Sequence, residues 1–99
     1  MTVIARLPDG RIIATASSSG PTSYSAGGFD ITVGDVKAID QVIAIFNDGG
    51  YLTEPASVSD NTVTVKVYYF DYDATADGAA TEASGNLSTV TFTVVVIGH

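Results

Sequence analysis

The sequence predicts an all-β fold, a small antiparallel β-sandwich or barrel in a single domain, on three observations. Val and Ile dominate its apolar residues while Leu occurs only at Leu7, Leu52 and Leu87, and branching at Cβ suits a pleated sheet better than a helix. Short apolar/polar alternations recur between frequent turn signals. No crossover helix separates them, which leaves two packed antiparallel sheets or a closed barrel.

Taken in order, residues 3–7 and 11–16 flank Pro8-Asp9-Gly10. Pro presets φ for the first turn position and Gly takes the left-handed one, so an opening hairpin over residues 3–16 is expected. Residues 17–28 read as a small-residue loop with a short strand around Tyr24. Residues 29–33 (FDITV) alternate strictly, with Phe29, Ile31 and Val33 on one side. In residues 34–46, Val36, Ile39, Ile43 and Phe46 recur at helical spacing behind Asp35, a residue able to cap a helix. The β-branched run 42–46 (VIAIF) and the turn chemistry of Asn47-Asp48-Gly49-Gly50 outweigh that spacing. The reading is a turn near residues 34–37 and a strand from Ile39 to Phe46.

Residues 51–58 form a short strand interrupted by Pro55, which places it at an edge, and Ser59-Asp60-Asn61 is a tight turn. The strand at 62–70 (TVTVKVYYF) sets Val63, Val65, Val67 and Tyr69 on one face. A long acidic loop over residues 71–87 leads to a last strand at 89–97 (TVTFTVVVI). The main sandwich is thus expected over residues 29–97.

Two strands become apolar on both faces toward their C-terminal ends. Behind Val63, Val65 and Val67 run Thr64, Lys66, Tyr68, Phe70 and Tyr72; behind Phe92, Val94 and Val96 lie Thr93, Val95 and Ile97. A sheet with one wet face does not need this pattern. If the two strands pair, Tyr68, Phe70, Val95 and Ile97 form one patch, to be covered by a partner chain or by the 3–16 hairpin. Left as an open edge, the last strand would also be prone to aggregate. Tyr68, Phe70, Tyr72, Val95 and Ile97 are therefore the interface candidates, and a homo-oligomer is expected.

Ninety-nine residues with 45% hydrophobic content suffice for one core. Eleven acids against four bases give a net charge of −7. The bases Arg6, Arg11, Lys37 and Lys66 are scattered, so no nucleic-acid partner is expected. No cysteine is present, which excludes disulfides and thiolate metal sites. The first residues lack the basic and apolar regions of a secretion signal, and the apolar run Val94–Ile97 is too short to span a membrane. A soluble protein without a membrane partner follows, and Asn86-Leu87-Ser88 is not expected to be glycosylated.

Catalysis finds little to use. The sole histidine, His99, is the terminal residue, where chain ends fray. The glycine pairs open no helix and form no phosphate loop, and the loop acids have no apolar pocket to separate their pKa values. No enzyme and no cofactor are expected. Asp71, Asp73, Asp77 and Glu82 space oxygen ligands along one loop as a calcium site does, but Ala76 stands where such a loop turns on Gly. A solvated acidic loop is the better account. The aromatic run Tyr68, Phe70 and Tyr72 suits either sugar stacking, in a carbohydrate-binding or adhesion module, or an interface. Tyr is favoured at interfaces, because it joins apolar area to a polar tip.

Residues 29–99, and above all the stretch NTVTVKVYYFDYDATADGAATEASGNLSTVTFTVVVIGH, resemble small structural proteins of tailed bacteriophages. The shared features are a turn into a T-V-x-V strand, an acidic Ala/Gly-rich insertion, and L-S-x-V-T-F leading to a strand that ends in Gly and one basic residue. The resemblance implies a β-sandwich accessory capsid (decoration) protein, made in the host cytoplasm and located in the virion. Its implied partners are the major capsid protein or other virion proteins, often as a trimer. A tail or head–tail component has the same likeness. No functional residue is carried over.

Overall fold

Local turn chemistry and strand alternation assemble a two-sheet structure in the computed structural model, which describes residues 2–70 and 80–99. The described residues form no helix, and 61% of them lie in strands of two packed antiparallel sheets. The strands are β1 (Thr2–Arg6), β2 (Ile12–Ser19), β3 (Phe29–Thr32), β4 (Ile39–Asn47), β5 (Leu52–Ser59), β6 (Thr62–Phe70), β7 (Ala80–Glu82) and β8 (Thr91–Gly98). The first sheet has the order β1-β2-β8-β4; the second has β3-β6-β5, with β7 also paired to β6.

The opening hairpin forms as its turn residues dictate. The Gly10 amide donates to the Leu7 carbonyl at 3.1 Å, and the Leu7 amide donates to the Arg11 carbonyl at 2.7 Å. Gly10 has φ +90°, a left-handed value that Gly reaches at little cost. Asp9 accepts from the Arg11 backbone amide at 3.1 Å and from its guanidinium at 2.7 Å, which fixes the tip. The hairpin does not lie over another face. It extends the first sheet, because β2 pairs with β8 from Ile12↔Gly98 to Ser19↔Thr91. Residues 17–19, expected in a loop, complete that strand.

The ambiguous stretch at 34–46 resolves as a turn and a strand, with Val36 buried beneath the turn. The β5–β6 turn, Asp60-Asn61, takes φ +53° at Asp60 and ties the sheets together at one end. Asn61 accepts from the Val33 amide at 2.8 Å, Asp60 accepts from the Ile39 amide at 2.8 Å, and the Asn61 side-chain amide donates to the Val36 carbonyl at 3.2 Å. Pro55 sits on the edge strand β5 at a register shift between Pro55 and Ser57, where a missing amide is tolerated.

The core is a β-branched stack closed by aromatics. Val63, Val65 and Val67 from β6 and Phe92, Val94 and Val96 from β8 are fully buried between the sheets. Phe29 packs edge-on against Phe92 with ring centroids 5.0 Å apart, and Tyr24 packs edge-on against Phe29 at 6.3 Å. Gly28 holds β3 close to β6: a Cβ there would sit 2.5 Å from the Val65 carbonyl oxygen, and its φ of +107° already disfavours a side chain.

Two expected boundaries move. The last strand begins at Thr91, because residues 88–90 form a turn in which the Val90 amide donates to the Leu87 carbonyl at 3.0 Å. The loop assigned to 71–87 contains β7 and a β-bridge between Tyr24 and Gly85. Tyr69 follows the buried valines in the alternation of β6 yet remains 41% exposed, and is no part of the core.

Candidate interaction surface

The register places the sequence-derived candidates on opposite sides of the molecule. β6 and β8 do not pair; each is central to its own sheet, and their buried valines face one another across the core. Alternation then turns Tyr68 outward from the second sheet, and Val95 and Ile97 outward from the first. The single patch of Tyr68, Phe70, Val95 and Ile97 is therefore corrected: pairing was its premise, and the two strands belong to different sheets. Tyr72, Asp71, Asp73 and Asp77 lie outside the described residues, as does the side chain of Phe70.

The outer face of the first sheet is apolar across its width. Val95 stands opposite Thr15 on β2 and Ala44 on β4, and Ile97 opposite Ile13 and Gln41. On β1, Ala5 stands opposite Ile13. Register shifts between Val3 and Ala5, between Ile39 and Gln41 and between Val42 and Ala44 each leave one extra residue, Ile4, Asp40 and Ile43. A bulge of this kind breaks the alternation and turns its extra residue outward. Ile4 is 58% exposed and Ile43 51%, and Phe46 opposite Thr93 is 54% exposed. Toward the other end the face becomes hydroxylic, with Ser17 and Thr93 hydrogen-bonded at 2.8 Å. Asp40 is the one Lys, Arg, Asp or Glu among these outward positions; it lies at the end of the face, with its Oδ2 3.3 Å from His99 Nδ1.

The outer face of the second sheet is largely polar and partly hydrogen-bonded to itself, with Leu52, opposite Tyr68, exposed on it. The Tyr68 hydroxyl donates to Glu54 at 2.7 Å, the Thr64 hydroxyl donates to Asp30 at 2.7 Å, and Thr32 and Thr62 share a 3.1 Å hydrogen bond. The Glu54 carboxylate beside Tyr68 pushes its phenol up to about 12. Of the aromatic set considered for sugar stacking, Tyr68 alone has a described side chain, and this contact holds its tip.

Tyr24 and Glu82 close a gap on the β6 edge between β3 and β7. Tyr24 is buried, and its hydroxyl accepts from the Val67 amide at 3.0 Å while donating to Glu82 at 2.8 Å. Glu82 also accepts from the Gly27 amide at 2.9 Å. These two hydrogen bonds, from Gly27 first and Tyr24 second, hold the Glu82 carboxyl below the usual range. Glu82, the calcium candidate that is described, thus spends one oxygen on a structural contact. Among the described residues no group of three His, Asp or Glu side chains gathers in a way that could hold a metal ion.

His99 is exposed, but its backbone is not frayed. Its carbonyl accepts from Lys37 at 2.8 Å and Ala38 at 3.1 Å, and its amide donates to Ala38 at 3.0 Å. The expectation of a loose tail is corrected by this pairing with the β3–β4 connection.

Ile4, Ile13, Ile43 and Phe46 were not among the sequence candidates. The signal for Ile43 and Phe46 was present in the continuous apolar run 42–46, which resembles the 94–97 run beside it in the sheet. Comparison of the chain with protein-family models, with curated proteins and with solved structures finds no significant match.

Proposed function

We propose that this chain is a virion structural protein, an accessory capsid protein that binds the assembled shell and works through its surfaces rather than by catalysis. The observation that carries the reading is the first sheet's outer face, rich in exposed apolar side chains and with Asp40 alone of the acids, at its end, on a chain of net charge −7. Contiguous exposed apolar surface on a small domain marks a contact. The second sheet's outer face, polar and internally hydrogen-bonded, suits water. A component present in many copies on a shell needs both kinds of surface and no active site. The resemblance of residues 29–99 to small structural proteins of tailed bacteriophages supports the same reading, with the major capsid protein or another virion protein as partner.

Electron microscopy of particles assembled with and without the protein tests it. Added density at regular positions on the shell is expected. Density confined to the tail would make the chain a tail or head–tail component, and particles that never carry it would overturn the reading. Glycan-array binding abolished by Tyr68→Ala would instead support a carbohydrate-binding module.

A further inference from the structure

We infer that the apolar face of the first sheet is a self-association face, covered by the same face of a second copy in a two-fold dimer. The inference rests on reading this face as a contact surface of an assembling protein and names its occupant, which leaves shell binding to the surfaces that the dimer does not cover. Three observations select a second copy.

The first is charge. Each copy carries −7, so two copies repel wherever acidic surfaces meet, and least where none lies between them. A foreign partner is usually steered and held in register by complementary charge. This face offers only Asp40, at one end; symmetry supplies the register instead, since a flat patch that meets itself closes as an isologous pair.

The second is area. Strands β1, β2, β8 and β4, of five, eight, eight and nine residues, about 4.8 Å apart and rising about 3.4 Å per residue, give a face of roughly 500 Å² that is hydroxylic toward the Ser17 end. Two such faces together remove about 1,000 Å², more once side-chain relief is counted, which reaches the lower bound for a specific interface. The face is large enough for one copy of itself and leaves little apolar margin.

The third is the composition of β8. Its inward residues Phe92, Val94 and Val96 are fully buried, and of its outward residues Thr91, Thr93, Val95 and Ile97 the last two are equally apolar. A strand apolar on both sides is one covered on both sides. Within the chain only the inner side is covered, by the second sheet. A second copy adds the missing layer in the geometry the fold already uses, sheet against sheet at about 10 Å.

Sedimentation equilibrium on the isolated full chain tests this without any shell. Wild type should sediment at twice the 10.2 kDa of one chain. Ile43→Lys combined with Phe46→Lys changes two residues already more than half exposed, and should weaken association at least a hundredfold with the β spectrum intact. Ser57→Lys, exposed on β5 of the other sheet, should leave it unchanged. Should the double variant lose its β spectrum, the isosteric Val95→Thr replaces it, with a tenfold weakening expected. A wild-type monomer at several hundred micromolar, a trimer, or variants that associate like wild type would overturn the inference. A monomer would still leave shell binding to be read by microscopy, so the two failures are distinguishable.

Discussion

The two outer faces of this sandwich come from strands of similar length with the same alternation, yet they solve opposite problems. On the second sheet, Asp30, Glu54 and Lys66 stand among Thr and Ser with one exposed leucine, Leu52, and the acids are engaged by Thr64 and Tyr68. That face ends at the protein's own hydrogen bonds and at water. On the first sheet, Ile13, Val95 and Ile97 line the middle and Ile4, Ile43 and Phe46 stand exposed at the edges. Covering a large apolar side chain contributes about 1.5–3 kcal/mol, before the ordering costs of association. Six such residues on one side of a 99-residue chain exceed what scattered surface hydrophobics amount to. Alternation makes a strand two-faced, and what sits on the second face decides whether the sheet ends or continues into a partner.

The largest expected effect lies in the core that both sheets share. Phe92→Ala removes a fully buried ring that packs on Phe29. It should cost about 3–5 kcal/mol in denaturant unfolding. A loss under 1 kcal/mol would mean that the sheets do not pack through this ring. Next comes the plug on the β6 edge. Tyr24→Phe strips the hydroxyl from the buried Val67 amide and from Glu82, and should cost about 1–3 kcal/mol.

The acid limb of stability should follow Glu82. Its folded pKa is lowered from the ordinary 4.5, so its contribution is complete above that value and drains away as pH falls below it. Glu82→Gln should flatten this part of the acid unfolding curve; a curve parallel to wild type would contradict the contact. The smallest effect belongs to the polar outer face. The Tyr68 pKa is raised from 10.0 to about 12, so its contribution is present below pH 10 and fades as pH rises through 12. Ultraviolet titration should show a late phenolate beside that of Tyr24, which burial also raises; the Tyr68 component should be lost in Tyr68→Phe and shifted down in Glu54→Gln. Melting near neutral pH should barely move in either variant.

Turns and strand periodicity were legible in the sequence because both are local. Pro8-Asp9-Gly10 specifies its hairpin from three residues, and the valines of β6 and β8 declare their inner faces by alternation alone. Asn47-Asp48-Gly49-Gly50 rightly outweighed the helical spacing of Val36, Ile39, Ile43 and Phe46, because β-branched residues before turn chemistry are a stronger signal than four matched positions. Strand partnership was not legible. Nothing within TVTVKVYYF or TFTVVVI says that β2 and β4 flank β8 while β3 and β5 flank β6, and the expected patch failed on that point. The bulges at Ile4 and Ile43 hid the edge of the true face, since one extra residue defeats a period of two. Tyr24 gave no local sign that its hydroxyl would complete a sheet edge 58 residues further along the chain, at Glu82.

The central claim is that one outer face is occupied and the other is wet, and a soluble paramagnetic probe reads this directly. In NMR spectra of the full chain at several hundred micromolar, the methyl signals of Ile13, Val95 and Ile97 should be shielded from a neutral gadolinium chelate. Those of Thr64 and Thr32 on the second sheet should broaden. The shielding should vanish in the Ile43→Lys, Phe46→Lys double variant, which frees the face. Equal broadening of both sets in wild type would contradict the account, because the apolar face would then stand open to water.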